Sequence, residues 1–193
     1  MIASTTLADT LWPAPAYRSL RNLTLLVCGS LLLIATAKLQ IPFYPVPMTL
    51  QPLAVLLIGV TCGWRLGAAT VALYLAQGAM GLPVFAGTPE RGIGLAYMLG
   101  PTGGYLLGFM LAAAVTGWLA ERGWDRRLLP TLAMLTLGMA AIYLPGVLWL
   151  GTLLGWDKPI LAVGVYPFLL GDAVKIALAA ASLPLIWRVL KRR

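Results

Sequence analysis

The sequence contains no histidine and few charged residues, and both absences narrow the possible functions. Without histidine, the chain can support neither serine–histidine hydrolysis nor a histidine-ligated metal or haem. A glycine-rich phosphate loop with its lysine is also missing, so we do not expect nucleotide hydrolysis by this chain. Cys28 and Cys62 lie in apolar runs, where small buried thiols are expected and nothing requires a disulfide. The sequence therefore predicts neither an enzyme nor a resident cofactor or metal.

Charged residues make up 10% of the chain and hydrophobic residues 60%, whereas a soluble domain carries about 25% charged residues. Uncharged runs cover residues 22–37, 39–64, 66–89, 92–120 and 128–156. Four of these five runs reach the length of about 20 residues that a bilayer crossing needs. This pattern predicts an integral membrane protein whose apolar surface faces lipid.

Proline and glycine clusters divide the apolar runs into six predicted transmembrane helices. Helix 1 is expected from about Asn22 to Ile41, where a proline-dense stretch ends it. Helix 2 is expected to run to about Thr61, with Thr49 as a candidate cap. Helix 3 follows a turn at residues 63–67 and is expected to end near Gly81. The last three are expected at residues 98–120, 128–152 and 162–190. Residues 1–21 are then a cytoplasmic N-terminal arm, and residues 22–193 form a single all-α membrane domain.

The distribution of basic residues predicts the orientation. With six crossings, one side of the membrane receives ten basic residues: Arg18, Arg21, Arg65, Arg122, Arg126, Arg127, Arg188, Lys191, Arg192 and Arg193. The other side receives only Arg91 and Lys158. Because basic loops stay in the cytoplasm, both termini are expected there, in a multi-pass protein of the cell membrane. No aromatic-interleaved basic surface is present, so nucleic acid is not an expected partner.

The last helix carries two charges, Asp172 and Lys175, which lie on one face because they are three residues apart. If the helix begins near Tyr166, these residues lie roughly 9 and 14 Å deep in the membrane. A charge at that depth costs at least about 2.5 kcal/mol unless it is paired. Two interpretations follow: an internal ion pair that only neutralises itself, or a polar site for a ligand or ion.

Other candidate residues lie near the predicted outer boundary. Arg91 is either a solvated charge beside Glu90 or a clamp for an anionic group. Gln51 is either a hydrogen-bond partner for a ligand or a contact between helices. Aromatic side chains there, including Phe85, Tyr97 and Tyr166, are either an interfacial belt or part of a ligand site.

Four stretches of the sequence carry a family resemblance. They are residues 45–51 (PVPMTLQ), 81–87 (GLPVFAG), 100–109 (GPTGGYLLGF) and 167–175 (PFLLGDAVK). In order and spacing they resemble BioY, the biotin-specific S component of energy-coupling factor (ECF) transporters, over nearly the whole chain beyond the N-terminal arm.

The resemblance implies a six-helix ECF S-component-like bundle that captures biotin, its transported ligand, from outside. It also implies partners, namely a transmembrane coupling (T) subunit and two ATPase subunits. Asp172 and Lys175 match a polar pair of the family, and Phe85 matches an aromatic residue. Residues 45–51, which include Thr49 and Gln51, match a loop that closes the pocket.

The resemblance leaves two questions open. Lys175 and Arg91 are both candidates for the cation that meets the ligand carboxylate. The helix 1 coupling surface departs from the family pattern, because Leu39 and Ile41 stand where small residues four positions after Ala35 and Ala37 are expected. An alternative function is a self-sufficient, proton-coupled transporter of biotin or another small vitamin, with Asp172 as the proton-coupling carboxylate.

Overall fold

The structure, a computed structural model, describes residues 6–13, 16–42, 44–87 and 92–190. Nine α-helices and a two-stranded antiparallel ladder lie within those residues. The helices are α1 Leu7–Leu11, α2 Arg18–Lys38, α3 Gln51–Cys62, α4 Trp64–Ala79, α5 Leu95–Met98, α6 Gly103–Ala120, α7 Leu128–Leu154, α8 Ile160–Gly164 and α9 Tyr166–Leu190. The strands are β1 Gln40–Ile41 and β2 Met48–Thr49. The all-α fold is confirmed.

Four helices in the described part of the chain, α2, α6, α7 and α9, are long and apolar enough to cross a membrane. They correspond to predicted helices 1, 4, 5 and 6. The predicted second and third helices are shorter, with 12 residues in α3 and 16 in α4. A helix rises only about 1.5 Å per residue, so α3 alone does not cover a hydrocarbon core of about 30 Å.

Four predicted boundaries differ from the structure by three residues or more, and proline or glycine explains three of them. Helix α2 ends at Lys38 rather than Ile41, because the chain turns into the β1–β2 hairpin around the proline-dense stretch. Helix α6 begins at Gly103 rather than Met98, after a break at residues 99–102 that separates it from α5. Helix α9 begins at Tyr166 rather than Ala162, and its second residue is Pro167, which favours a helix start.

The cap predicted at Thr49 also differs in detail. The residue preceding α3 is Leu50, which makes no side-chain capping bond. The Thr49 hydroxyl nevertheless accepts a hydrogen bond of 3.2 Å from the backbone N–H of Gln51, which is the first N–H of the helix. Pro52 lies in the same first turn, where no amide hydrogen is needed.

The N-terminal arm packs against the bundle. Helix α1 begins with a reciprocal capping arrangement between Thr6 and Asp9, and Leu7 is buried. Helix α2 begins at Arg18, one turn before the predicted start, and its Arg21 forms an ion pair with Asp9 at 2.9 Å. This ion pair holds α1 beside the first turn of α2.

Helix α6 lies at the centre of the bundle and packs against α3, α4 and α7. Glycines on its surface allow backbones to approach closely. A side chain at Gly108 would meet the Ile142 backbone of α7 at 2.7 Å, and one at Gly117 would meet the backbone nitrogen of Trp64 in α4 at 2.4 Å. Small residues at such contacts are typical of packing between membrane helices.

The substitution Gly117→Ala tests this packing. In an exposed helix, alanine in place of glycine stabilises by up to about 1 kcal/mol. At Gly117 the new methyl group would overlap backbone atoms that cannot move aside, so the free energy of unfolding should fall by roughly 1–3 kcal/mol. Denaturant unfolding in detergent measures the change. Gly171→Ala is the matched control, because its methyl group would meet only the Met48 side chain at 3.4 Å. Equal stability of the two variants would contradict the packing argument.

Candidate ligand-binding site

A cavity of about 540 Å³, including the part open to solvent, lies between the hairpin and helices α3, α6, α7 and α9. Much of its wall is apolar and includes Val46, Phe109, Met139, Ile142 and Phe168. Polar groups are contributed by Thr49, Gln51, Tyr97, Thr102, Tyr105, Tyr143 and Asp172. Such a lining suits a mostly apolar small molecule with a few hydrogen-bonding groups.

Asp172 carries the carboxylate of the cavity wall, and its side chain is only 8% exposed. The Tyr143 hydroxyl of α7 donates to Oδ2 at 2.5 Å, and the Lys175 ammonium donates to Oδ1 at 2.8 Å. Each carboxylate oxygen can accept two hydrogen bonds. The carboxylate is therefore held on both oxygens while it keeps acceptor capacity for a ligand N–H group.

Lys175 is not among the residues that line the cavity. Its side chain is 12% exposed, and its ammonium also donates to the Thr49 carbonyl at 2.9 Å. The ion pair anticipated between Asp172 and Lys175 is present, and the same ammonium also binds the end of the hairpin.

Gln51 lines the cavity and also bridges helices, so the predicted contact between helices is present, while a hydrogen bond to a ligand stays a prediction. Its side-chain nitrogen donates to the Tyr74 hydroxyl at 2.7 Å and to the Leu33 carbonyl at 3.4 Å. Tyr74, which is fully buried, donates in turn to the Val84 carbonyl at 3.3 Å. This network joins α2, α3 and α4 to the loop after α4.

Phe85 and Tyr97 form a stacked pair with ring centroids 5.0 Å apart. Both side chains are buried, at 5% and 6% exposure, so neither belongs to a lipid-facing belt. Tyr97 lines the cavity and donates a hydrogen bond to the Ala86 carbonyl, while Phe85 lies behind it against Tyr74. The Lys38 ammonium donates to the Pro83 and Phe85 carbonyls at 2.8 Å each and fixes this loop.

The structure thus brings four predicted residues, Thr49, Gln51, Tyr97 and Asp172, to one cavity. Tyr166, at the start of α9, is 60% exposed and does not line it. Arg91 lies outside the described residues. Ligand contact by any of these side chains stays a prediction.

Two tyrosines of the cavity, Tyr105 and Tyr143, are not among the predicted site residues, although Tyr105 lies in one of the stretches that carry the resemblance. The Tyr105 hydroxyl donates to the Gly164 carbonyl at 2.8 Å, and its ring lies edge-on to Tyr143 with centroids 6.4 Å apart. Tyr143 lies in an uninterrupted apolar run, 29 residues before Asp172. Nothing in that spacing links the two residues, because the contact depends on how α7 and α9 pack.

The class of protein follows from these features: a helical membrane protein with a small-molecule cavity within its bundle. The fold is shared with a crystal structure of the S-component for biotin from an ECF-type ABC transporter. The TM-score is 0.75, the identity is 24%, and the match covers 91% of this chain and 95% of that one. The S-component-like fold that the four stretches implied is confirmed.

The chain belongs to the BioY family, whose model matches residues 7–192. It is 42% identical over 172 residues to a biotin transporter BioY of Rhodobacter capsulatus, covering 81% of this chain and 87% of the relative. The corresponding protein of Thermotoga maritima is 40% identical over 153 residues, covering 77% and 85%. A probable biotin transporter BioY of Pyrococcus horikoshii is 39% identical over 143 residues, covering 74% and 82%. The family resemblance is confirmed, and the chain is a transporter-family protein rather than an enzyme.

A double-mutant cycle of Gln51→Leu and Tyr74→Phe tests the network behind the cavity. Each single variant removes the hydrogen bond between the two side chains, so their effects on the free energy of unfolding should not add. We expect a coupling of about 1 kcal/mol, the net worth of one buried hydrogen bond. Unfolding of ligand-free protein in detergent provides the measurement. Gln40→Leu, at a half-buried glutamine of β1, serves as the control. Strictly additive effects of Gln51→Leu and Tyr74→Phe would show that the bond contributes nothing.

Proposed function

We propose that this chain is a high-affinity, biotin-binding membrane subunit that captures biotin from outside for uptake by an ECF-type ABC transporter. The observation that carries the proposal is the Asp172 carboxylate, held on both oxygens in the wall of an otherwise largely apolar cavity. Membership of a family whose relatives are named biotin transporters supports the choice of ligand.

The chemistry of biotin suits this cavity. Its ureido ring offers two N–H donors and a carbonyl acceptor, and the remaining acceptor capacity of Asp172 suits one of those donors. The thiophane ring and the aliphatic chain are apolar, as are the side chains of Phe109, Met139, Ile142 and Phe168. Apolar contact of this kind contributes about 25 cal/mol per Å² of surface removed from water. The cavity therefore offers partners for both the polar and the apolar parts of the molecule.

The partners in this proposal are a T subunit and two ATPase subunits, since no phosphate-binding loop occurs in the sequence. The proposal places six helices in the cell membrane, with both termini in the cytoplasm. Three arginines that lie over tryptophan rings at one end of the bundle support this orientation: Arg65 over Trp64, Arg122 over Trp118 and Arg126 over Trp187. Tryptophan prefers the membrane interface, and arginine prefers its cytoplasmic side.

Titration calorimetry of the purified chain with biotin, beside Asp172→Asn, tests the function. We expect saturable binding near one-to-one, and roughly tenfold to hundredfold weaker binding by the variant because a charged acceptor is lost. Asp157→Asn is the control, since that carboxylate is 72% exposed in the α7–α8 loop. Mass spectrometry first establishes that no biotin was carried through purification. Absence of binding by ligand-free, folded protein would refute the choice of ligand.

The coupling to ATPase partners is tested separately by uptake into vesicles. Biotin uptake only when the T and ATPase subunits are present would support the proposal. Uptake by this chain alone, abolished by a protonophore, would instead support the proton-coupled alternative, with the buried Asp172 as its carboxylate.

Cysteine labelling tests the orientation. In a Cys28→Ala, Cys62→Ala background, a cysteine in place of Lys158 should react with an impermeant maleimide on intact cells, because the α7–α8 loop is expected outside. A cysteine in place of Arg122 or Arg18 should react only after the cells are permeabilised. The reverse pattern would contradict the proposed orientation, and opposite behaviour of the Arg18 and Arg122 positions would contradict the number of crossings.

A further inference from the structure

A second space borders the cavity, and its position points to a wider range of ligands than biotin alone. We propose that the site also takes amides of biotin: the ring system lies in the cavity, and the group joined through the carboxyl carbon lies in the second space, called the vestibule below. The proposal rests on the proposed function for the binding of the ring system. It adds a class of ligands, the carboxamides of biotin with an unbranched alkylamine, of which ε-N-biotinyl-lysine is an example.

The vestibule has a volume of about 570 Å³, including the part open to solvent, and lies between the loop of the hairpin and the break before α6. Tyr44 and Pro45 line it from the hairpin, and Gly100 and Pro101 line it from the break. None of these four residues lines the cavity. The vestibule is therefore a separate space with a lining of its own.

The first argument is that the two spaces share a rim. Pro47, Tyr97 and Thr102 line both the cavity and the vestibule. Because the same side chains border both spaces, a ligand group that passes between them leaves the cavity and enters the vestibule directly. A molecule too long for the cavity alone thus has a defined place for its remaining atoms.

The second argument is the position of the rim relative to Asp172. Helices α6 and α9 begin at the same end of the bundle, since Tyr105 in the first turn of α6 donates to the carbonyl of Gly164, just before α9. Thr102 directly precedes α6, whereas Asp172 lies further along α9, roughly 9 Å from its start. A ligand whose ring system lies near Asp172 therefore directs its chain toward the rim.

The third argument is the chemistry of the rim and the vestibule, where the described lining carries no charged side chain. Thr102 precedes α6 without capping it through its side chain, and a hydroxyl can both donate and accept a hydrogen bond. Such a hydroxyl suits the carbonyl or the N–H of an amide as well as it suits a carboxylate. The proline and tyrosine rings beyond it offer apolar surface to an alkyl chain. The described lining therefore accepts an amide at the rim as readily as a free acid.

The fourth argument is that one wall of the vestibule is already fixed. The Gly100 carbonyl accepts hydrogen bonds from the Trp149 indole of α7 at 2.9 Å and from the backbone N–H of Gly103 at 3.0 Å. These bonds hold the break before α6 against α7. A preformed surface does not have to be ordered when a ligand group arrives, so less of the contact energy is lost on binding.

Titration with three ligands tests the proposal: biotin, its N-butyl amide and ε-N-biotinyl-lysine. The wild type should bind both amides within about tenfold of biotin, because a charge that faces solvent contributes little. Pro101→Trp adds bulk to the vestibule outside the cavity, so it should weaken both amides by roughly 10- to 100-fold and leave biotin binding nearly unchanged. Leu99→Trp is the matched control, since Leu99 is 64% exposed and lines neither space. It should change none of the three affinities.

Two results of this titration would overturn the proposal. One is binding of the amides to the wild type more than about a hundredfold weaker than biotin, because the vestibule would then offer them no place. The other is unchanged amide binding by Pro101→Trp. If the wild type does not bind biotin at all, the proposed function fails, whereas tight binding of biotin with rejection of the amides refutes this proposal alone.

Cysteine labelling gives a second readout that does not depend on the folding of Pro101→Trp. In a Cys28→Ala, Cys62→Ala background, Tyr44→Cys reports on the vestibule, because Tyr44 is 84% exposed and lines that space. Saturating ε-N-biotinyl-lysine should slow its reaction with a maleimide severalfold more than saturating biotin does. Lys158→Cys, in the α7–α8 loop, is the control, and neither ligand should protect it. Equal protection of position 44 by the two ligands would place the extension outside the vestibule and overturn the proposal.

Discussion

A carboxylate buried in a membrane-spanning helix is the constraint on which the site depends. The side chain of Asp172 is almost wholly withdrawn from solvent, in a segment whose neighbours are nearly all apolar. An isolated charge there would be costly, so the surrounding structure must supply donors to both oxygens. Tyr143 supplies one from α7, and Lys175 supplies the other from the next turn of α9. Satisfying this one acidic group therefore requires α7 and α9 to lie side by side, with the hairpin bonded to α9 through Lys175.

Close packing around α6 makes this geometry possible. Gly104 and Gly108 let α7 approach so closely that an added methyl group would overlap its backbone. On α7 itself, a side chain at Gly146 would overlap the ring of Tyr105 at 2.4 Å. The glycine leaves room for that ring, whose hydroxyl reaches the carbonyl of Gly164. The small residues thus set the distances between helices, and the tyrosines fill the space that those distances leave.

The sequence predicts the long elements well because charge and hydropathy determine them. The uncharged runs at residues 22–37, 92–120 and 128–156 correctly indicate α2, α6 and α7, and the three-residue spacing of Asp172 and Lys175 correctly places both on one helix face. Helix ends are less predictable, since a short ladder such as β1–β2 arises from pairing between positions that no local pattern marks. Tyr143 is unpredictable for a similar reason. Its hydroxyl has a partner only after two distant helices have packed together.

The acceptor on the hairpin side of the Lys175 bond is a backbone carbonyl, that of Thr49. Every amino acid carries that group, so any residue that preserves the local chain direction at position 49 keeps the connection. A substitution of Thr49 would leave the link intact. Of the two residues, a genetic screen for loss of the link would therefore recover only Lys175. At position 49, this link depends on the conformation of the main chain rather than on a particular side chain. The sequence of the hairpin is therefore free to vary at position 49 as far as this link is concerned, while its conformation is not.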